Sequence, residues 1–143
     1  QKEQSGWIEL ENVFEYCLRM WTSMELFYHA RPSMEFSLAN SRKQVVELLS
    51  LLKPMNKIIS CCQSTNMHTG SNGLLMLVRL RSSTLCHQST LDILDPGSNS
   101  RDFRPHSSLC EVSRKARELL EKALDAYFFE EAYKGQCRLP DVA

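Results

Sequence analysis

The residues with most chemistry to offer are six cysteines and four histidines in a chain of 143 residues. Two groupings bring them together in sequence: Cys61-Cys62 with His68, and Cys86-His87 with His106 and Cys110. Thiolate and imidazole are the ligands of tetrahedral zinc. A zinc site uses C-x2-C or H-x3-H spacing so that one turn offers two ligands. Neither grouping has that spacing. Nucleophilic catalysis has no better start. There is no G-x-S-x-G elbow, and nothing in the sequence ties a cysteine to a distant histidine. A phosphate cradle needs a glycine-rich loop followed by Lys and Ser or Thr. Gly70-Ser71-Asn72-Gly73 precedes a helical stretch but has neither the pattern nor the lysine. The Glu130-Glu131 pair falls at the end of a predicted helix and reads as solvated. The expectation is a chain that is not an enzyme on its own, with no catalytic, cofactor or metal residues.

Charge is the next resource. The 17 basic and 17 acidic side chains sum to zero, which argues against histone-like binding of nucleic acid. The zero is uneven along the chain. Residues 1–36 carry six acids and three bases, and residues 37–110 carry four acids and eight bases. Residues 111–143 carry seven acids and six bases. The basic middle predicts a modest polyanion-facing surface on Arg42, Lys43, Lys53, Lys57, Arg79 and Arg81. These bases lack interleaved aromatics, so they offer no stacking platform for single strands. Duplex DNA is the nucleic-acid partner they would suit.

The elements that must position these residues read as helices. Leu10, Val13, Phe14, Cys17, Trp21, Met24 and Phe27 recur at spacings of three and four, predicting one amphipathic core helix from Gly6 to His29. Arg31-Pro32 should end it. Ser37 or Asn40-Ser41 offer N-caps for a second helix. Val45, Val46, Leu48, Leu49, Leu51 and Leu52 make that helix apolar around much of its circumference, hence central. Pro54 should kink it without splitting it. Residues 63–73 read as a loop. Leu74 to Leu85 suits a buried helix better than a strand, and Leu91, Ile93 and Leu94 add another turn. Asp95-Pro96-Gly97-Ser98-Asn99-Ser100, with 101–106, reads as a long polar loop. The last helix opens with a Ser108/Glu111 capping box. Its stripe is Val112, Ala116, Leu119, Leu120, Ala123, Leu124, Tyr127 and Phe128. Gly135 stops it. The predicted fold is all-α: a single domain over 1–143, a bundle of about four helices with the second kinked at Pro54.

The even cysteine count invites disulfides. Adjacent Cys61-Cys62, Cys17 on an apolar stripe and the absence of any Asn-x-Ser/Thr site instead favour a reducing, intracellular setting. No apolar run approaches the ~18 residues of a membrane span, so no membrane partner is expected. The start at Gln1-Lys2-Glu3 predicts a fragment of a longer protein.

Several segments, in order, resemble the helical insertion region of hAT-superfamily transposases. Arg19-Met20-Trp21-Thr22-Ser23-Met24 is similar to the family's "RWxS" helix entry, with one extra residue between Arg and Trp. Val45 to Pro54, followed by Ile58-Ile59-Ser60, resembles its "LLKPF…T…LS" helix. Leu91 to Pro96, then Phe103 and a charged helix, resembles its "LLDPRFK" stretch. Gly97 stands where that family has Arg, and Met55 where it has an aromatic. The resemblance spans about residues 14–130. It implies an all-α domain inserted in a ribonuclease-H-like core whose catalytic carboxylates lie outside this region. It also implies contact with DNA ends or oligomerisation, in a nuclear protein. The competing expectation is an intracellular helical protein–protein interaction domain.

Overall fold

A helix that is apolar around its circumference belongs at the centre, and α3 (Arg42–Gln63) occupies that place. The computed structural model describes residues 2–63 and 71–126. Val46, Leu49, Leu51 and Leu52 of α3 are buried. The helix packs against every other major layer. Ser41 precedes its first residue, and the Ser41 carbonyl accepts the first helical bond, from the Val45 amide at 3.0 Å. α3 runs uninterrupted through Pro54, so the predicted single helix across the proline is present.

The predicted first helix is two. α1 (Lys2–Arg19) and α2 (Trp21–His29) are separated at Met20, whose φ of −91° and ψ of 3° leave the helical region. Bonds from the Met20 amide to Tyr16 and from the Met24 amide to Met20 keep the chain coiling across the break. The change of direction turns Trp21 inward onto Phe36, with ring centroids 5.5 Å apart. Phe36 in turn stacks flat on Tyr28 at 4.9 Å. Phe14 and Leu18 face the core with Trp21. Polar clamps hold α1 on α3. The Asn56 amide donates to the Trp7 carbonyl and to Glu11, both at 2.9 Å, and Lys53 pairs with Glu15.

α4 (Ser71–Arg79) continues into one wide π-helical turn, Leu80–Leu85, so residues 74–85 are helical rather than extended. The Ser82 and Ser83 hydroxyls donate back to the Arg79 carbonyl, a competition that loosens helical turns. Leu80 and Leu85 are buried there.

The next segment departs from the all-α expectation. β1 (Leu91–Asp95) and β2 (Ser100–Arg104) form an antiparallel hairpin with Leu91 opposite Arg104 and Asp95 opposite Ser100. Neither the extra helical turn at 91–94 nor the loop at 101–106 is present. Leu91, Ile93 and Asp95 point inward while Asp92 and Leu94 point out, a period of two that defines a strand. The predicted breaker is the hairpin turn, with Asn99 in the left-handed region at φ 55°. The Gly97 amide donates to the Asp95 carboxylate at 2.9 Å.

α5 (Glu111–Leu124) follows a 3-10 turn at His106–Ser108. The predicted capping box does not form. Cys110 holds the N-cap position, and the Ser108 hydroxyl donates to the Pro105 carbonyl instead. The acceptor at this helix start is Glu47 of α3, which takes the Cys110 amide at 2.9 Å. The buried line of α5 is also rotated from the predicted one. Ser113, Arg117 and Leu124 are buried, with Ala116 and Leu120 packed beside them, whereas Val112 and Leu119 are exposed. Tyr127, Phe128, Glu130-Glu131 and Gly135 lie outside the described residues. Among the described residues the fold is five α-helices with a two-stranded sheet, mostly helical but not a four-helix bundle. No described helix is long and apolar enough to cross a membrane.

Candidate functional site

The six predicted nucleic-acid residues do not share one environment. Arg42 donates to Asp95 at 2.9 Å, and Lys53 pairs with Glu15. Arg81 donates to Asp125 at 2.8 Å and lies 3.9 Å from Glu121. The Lys43 ammonium donates to the Ser108 carbonyl at 3.1 Å. Lys57 and Arg79 are exposed. Three of the six positive charges therefore face carboxylates of the same chain, which reduces what they offer to a polyanion.

Two of them line a cleft of about 280 Å³ between the start of α3 and the hairpin. Here Arg42, Lys43 and Arg104 meet Asp95, Asp102 and, behind them, Glu47. Arg104 donates to Asp102 at 2.7 Å and to Glu47 at 2.9 Å. Burial alone would push the Asp95 carboxyl up, but hydrogen bonds from Arg42, Ser98 and the Gly97 amide together hold it below the usual carboxylate range. The Arg104 hydrogen bond holds Asp102 down in the same way. Burial, reinforced by the Glu47 charge, pushes the Cys110 thiol up, away from the thiolate a nucleophile needs. Charges and donors in this cleft are matched within the chain, so it fastens the hairpin and α5 to α3.

Arg117 is the most unusual charge in the molecule, and the residue pattern did not reveal it. It is fully buried and donates to the Thr84 carbonyl at 2.8 Å and the Ser89 carbonyl at 3.1 Å. Burial pulls its pKa down. Its Nη1 atom has no partner. Through these bonds the guanidinium ties the wide turn and the segment after it to α5.

The His and Cys groupings behave differently from each other. His87 and His106 approach edge to face at 5.7 Å, but each turns to a different α5 carboxylate. His87 lies 3.4 Å from Glu121, and His106 lies 3.0 Å from Glu118. Cys17, Cys61, Cys86 and Cys110 are free thiols. Among the described residues no group of three or more His, Cys, Asp or Glu is arranged to hold a metal ion. His68 lies outside the described residues.

A second surface is apolar. Leu10, Val13 and Tyr16 of α1, Met20 at the break, and Leu26 and Phe27 of α2 are exposed, Val13 by 54% and Tyr16 by 66%. An open groove of about 490 Å³ lies between α2 and the following loop, where Leu26, Tyr28, Met34 and Phe36 share the lining with polar Thr22, Glu25 and His29. Arg31 stacks over Phe27 at 3.9 Å beside it. The expected core stripe of the first helix thus splits. Phe14, Trp21 and Met24 face the core, joined by Leu18 from outside the stripe, whereas Leu10, Val13 and Phe27 remain exposed.

No protein-family model matches the chain, and no curated protein or solved structure matches it.

Proposed function

We propose that this chain is a non-catalytic helical interaction domain that engages a protein partner through the outer face of α1 and α2. The observation that carries the reading is the contrast between its two surfaces. The charged cleft is matched internally, while the α1–α2 face leaves large apolar side chains in water. Contiguous exposed apolar patches on a folded domain mark interaction sites. The hAT-like segments support a setting in which such a domain serves oligomerisation inside a longer, DNA-associated nuclear protein.

Direct contact with duplex DNA is the competing role, and it would rest chiefly on exposed Lys43, Lys57 and Arg79. Titration of duplex DNA between about 50 and 200 mM salt separates the two, because each neutralised phosphate steepens the salt dependence. The interaction reading expects negligible affinity and a flat profile. Tight binding that falls steeply with salt, and that drops further in a Lys57→Ala/Arg79→Ala variant, would replace it with the DNA reading.

A further inference from the structure

We propose that the groove beside α2 receives an arginine side chain presented by a peptide segment of the protein partner. The inference rests on the interaction reading above and names the chemistry that this part of the surface takes. The groove arises where the chain reverses. α2 ends at His29, and a turn bonded from the Met34 amide to the Arg31 carbonyl at 2.9 Å brings the chain back. Phe36 then packs on Trp21 and stacks on Tyr28, the two stacked rings lying within 2° of parallel. Tyr28 and Phe36 line the groove as one aromatic stack, and exposed Met34 lines it from the loop. Thr22, Glu25, Leu26 and His29 line it from α2, at the spacing of a single helix face.

Charge identifies the occupant. Glu25 is exposed within the groove, and Glu35 is exposed on the loop between Met34 and Phe36. Among the described residues neither carboxylate has an ion-pair partner. Aromatic faces carry the negative part of a quadrupole, and the last turn of α2 presents the negative end of a helix dipole. Carboxylates, rings and helix end all favour a cation. A guanidinium suits them better than an ammonium. It is planar and weakly hydrated, so it stacks on a ring while its N–H edge reaches a carboxylate. The apolar stem of the arginine would cover Leu26 and Met34.

Arg31 is a second, independent observation. It lies over the Phe27 ring, 3.9 Å from the centroid, and donates to the Phe27 carbonyl at 3.3 Å. The end of α2 therefore already holds one arginine by ring face and carbonyl together. That arginine serves Phe27 alone. Among the described residues no cation lies over Tyr28 or Phe36, and Arg31 pairs with neither Glu25 nor Glu35. The groove thus has acceptors and ring faces in place, and an arginine from outside completes it. A phosphate backbone is the opposite case, since Glu25 and Glu35 repel it.

Nuclear magnetic resonance titration of the 143-residue chain tests this, with a short end-capped glycine peptide bearing a central arginine as the probe. The expected result is saturable movement of the Met34 methyl and Tyr28 ring signals at millimolar peptide. The same peptide with citrulline, the uncharged isostere, should bind about tenfold more weakly, and the lysine peptide should fall between them. Glu25→Lys should weaken the arginine peptide by roughly tenfold, with unchanged far-ultraviolet circular dichroism because Glu25 is exposed. Absent movement, or movement confined to signals outside the groove, overturns the site. A citrulline peptide that binds as tightly as the arginine peptide overturns the cation, and so does a Glu25→Lys variant that binds like wild type. A lysine peptide that binds as tightly overturns the guanidinium. An unresponsive groove with flat duplex binding removes this inference alone, whereas salt-steep duplex binding removes the interaction reading beneath it.

Discussion

The hairpin side of the molecule and the α1–α2 side use opposite means. On the hairpin side, acids and bases are interleaved: Arg42 with Asp95, Arg104 with Asp102 and Glu47, and Glu47 with the Cys110 amide. On the α1–α2 side the inner surface is clamped to α3, and the outer surface carries exposed Leu10, Val13, Tyr16 and Met20. The difference separates two uses of side chains. Groups whose valences are met inside the chain hold the fold together. Groups whose burial is incomplete are available to something else.

The largest expected effect breaks the hairpin side. Glu47 is fully buried and serves Arg104 and the α5 start at once. Glu47→Ala strands the Cys110 amide and takes one of the two carboxylates from Arg104, and losing these charge-assisted contacts at a buried site costs about 3 kcal/mol. Urea unfolding followed by circular dichroism reads that loss. A change below about 1 kcal/mol, the range of surface ion pairs, would show that the contact is dispensable.

A smaller effect tests how closely the hairpin turn approaches α1. A Cβ on Gly97 would lie 2.5 Å from the Leu18 carbonyl oxygen and 2.9 Å from Arg42. Gly97→Ala must therefore shift backbone, with an expected loss of about 1–3 kcal/mol in the same assay.

The smallest effect is pH dependence. Asp95, Asp102 and Asp125 are held below the ordinary carboxylate range, Asp125 chiefly by its Arg81 hydrogen bond. A carboxyl with a depressed folded pKa binds its proton more weakly in the fold than in the unfolded chain. Its stabilisation is present above about pH 4 and is lost as pH falls through the folded value. Urea midpoints should therefore be level from pH 7 to pH 5 and decline below about pH 4. Asp125→Asn should flatten part of that decline. Val13→Glu adds no buried carboxylate pair and should leave the protection of Asp95 and Asp125 unaltered, which sharpens the separation of the two sides.

Much of the helical framework was legible in residue periodicity. The centrality of α3 followed from Val45 to Leu52, and the helix at 74–85 from its length and leucine content. The hairpin was not legible because its inward face is only Leu91, Ile93 and Asp95, and one of the three is an acid. Period-two burial is invisible when a charged residue occupies a buried position. The same blindness hid Glu47, Arg117 and Ser113, all fully buried, because polar side chains read as solvent-facing unless their partners are known. Met20 hid the break between α1 and α2, since nothing in its residue type forbids a helix. Of the basic site, the residues were identifiable but their pairing was not. Arg42 and Asp95 are separated by 53 positions, a relation no local pattern carries.

The Glu47 contact also dictates an order of events during folding. The acceptor at the start of α5 lies 63 residues upstream, so it reaches Cys110 only after α3 has formed and the hairpin has swung the chain back. Closing so long a loop is entropically slow, and α5 gains its N-terminal anchor late. The same geometry acts in the native state. Any opening that lifts the hairpin from α3 takes Arg104 from Glu47 and frees the start of α5. Strand and helix should then come apart as one cooperative unit, and native-state hydrogen exchange should give their slowest-exchanging amides a single opening free energy.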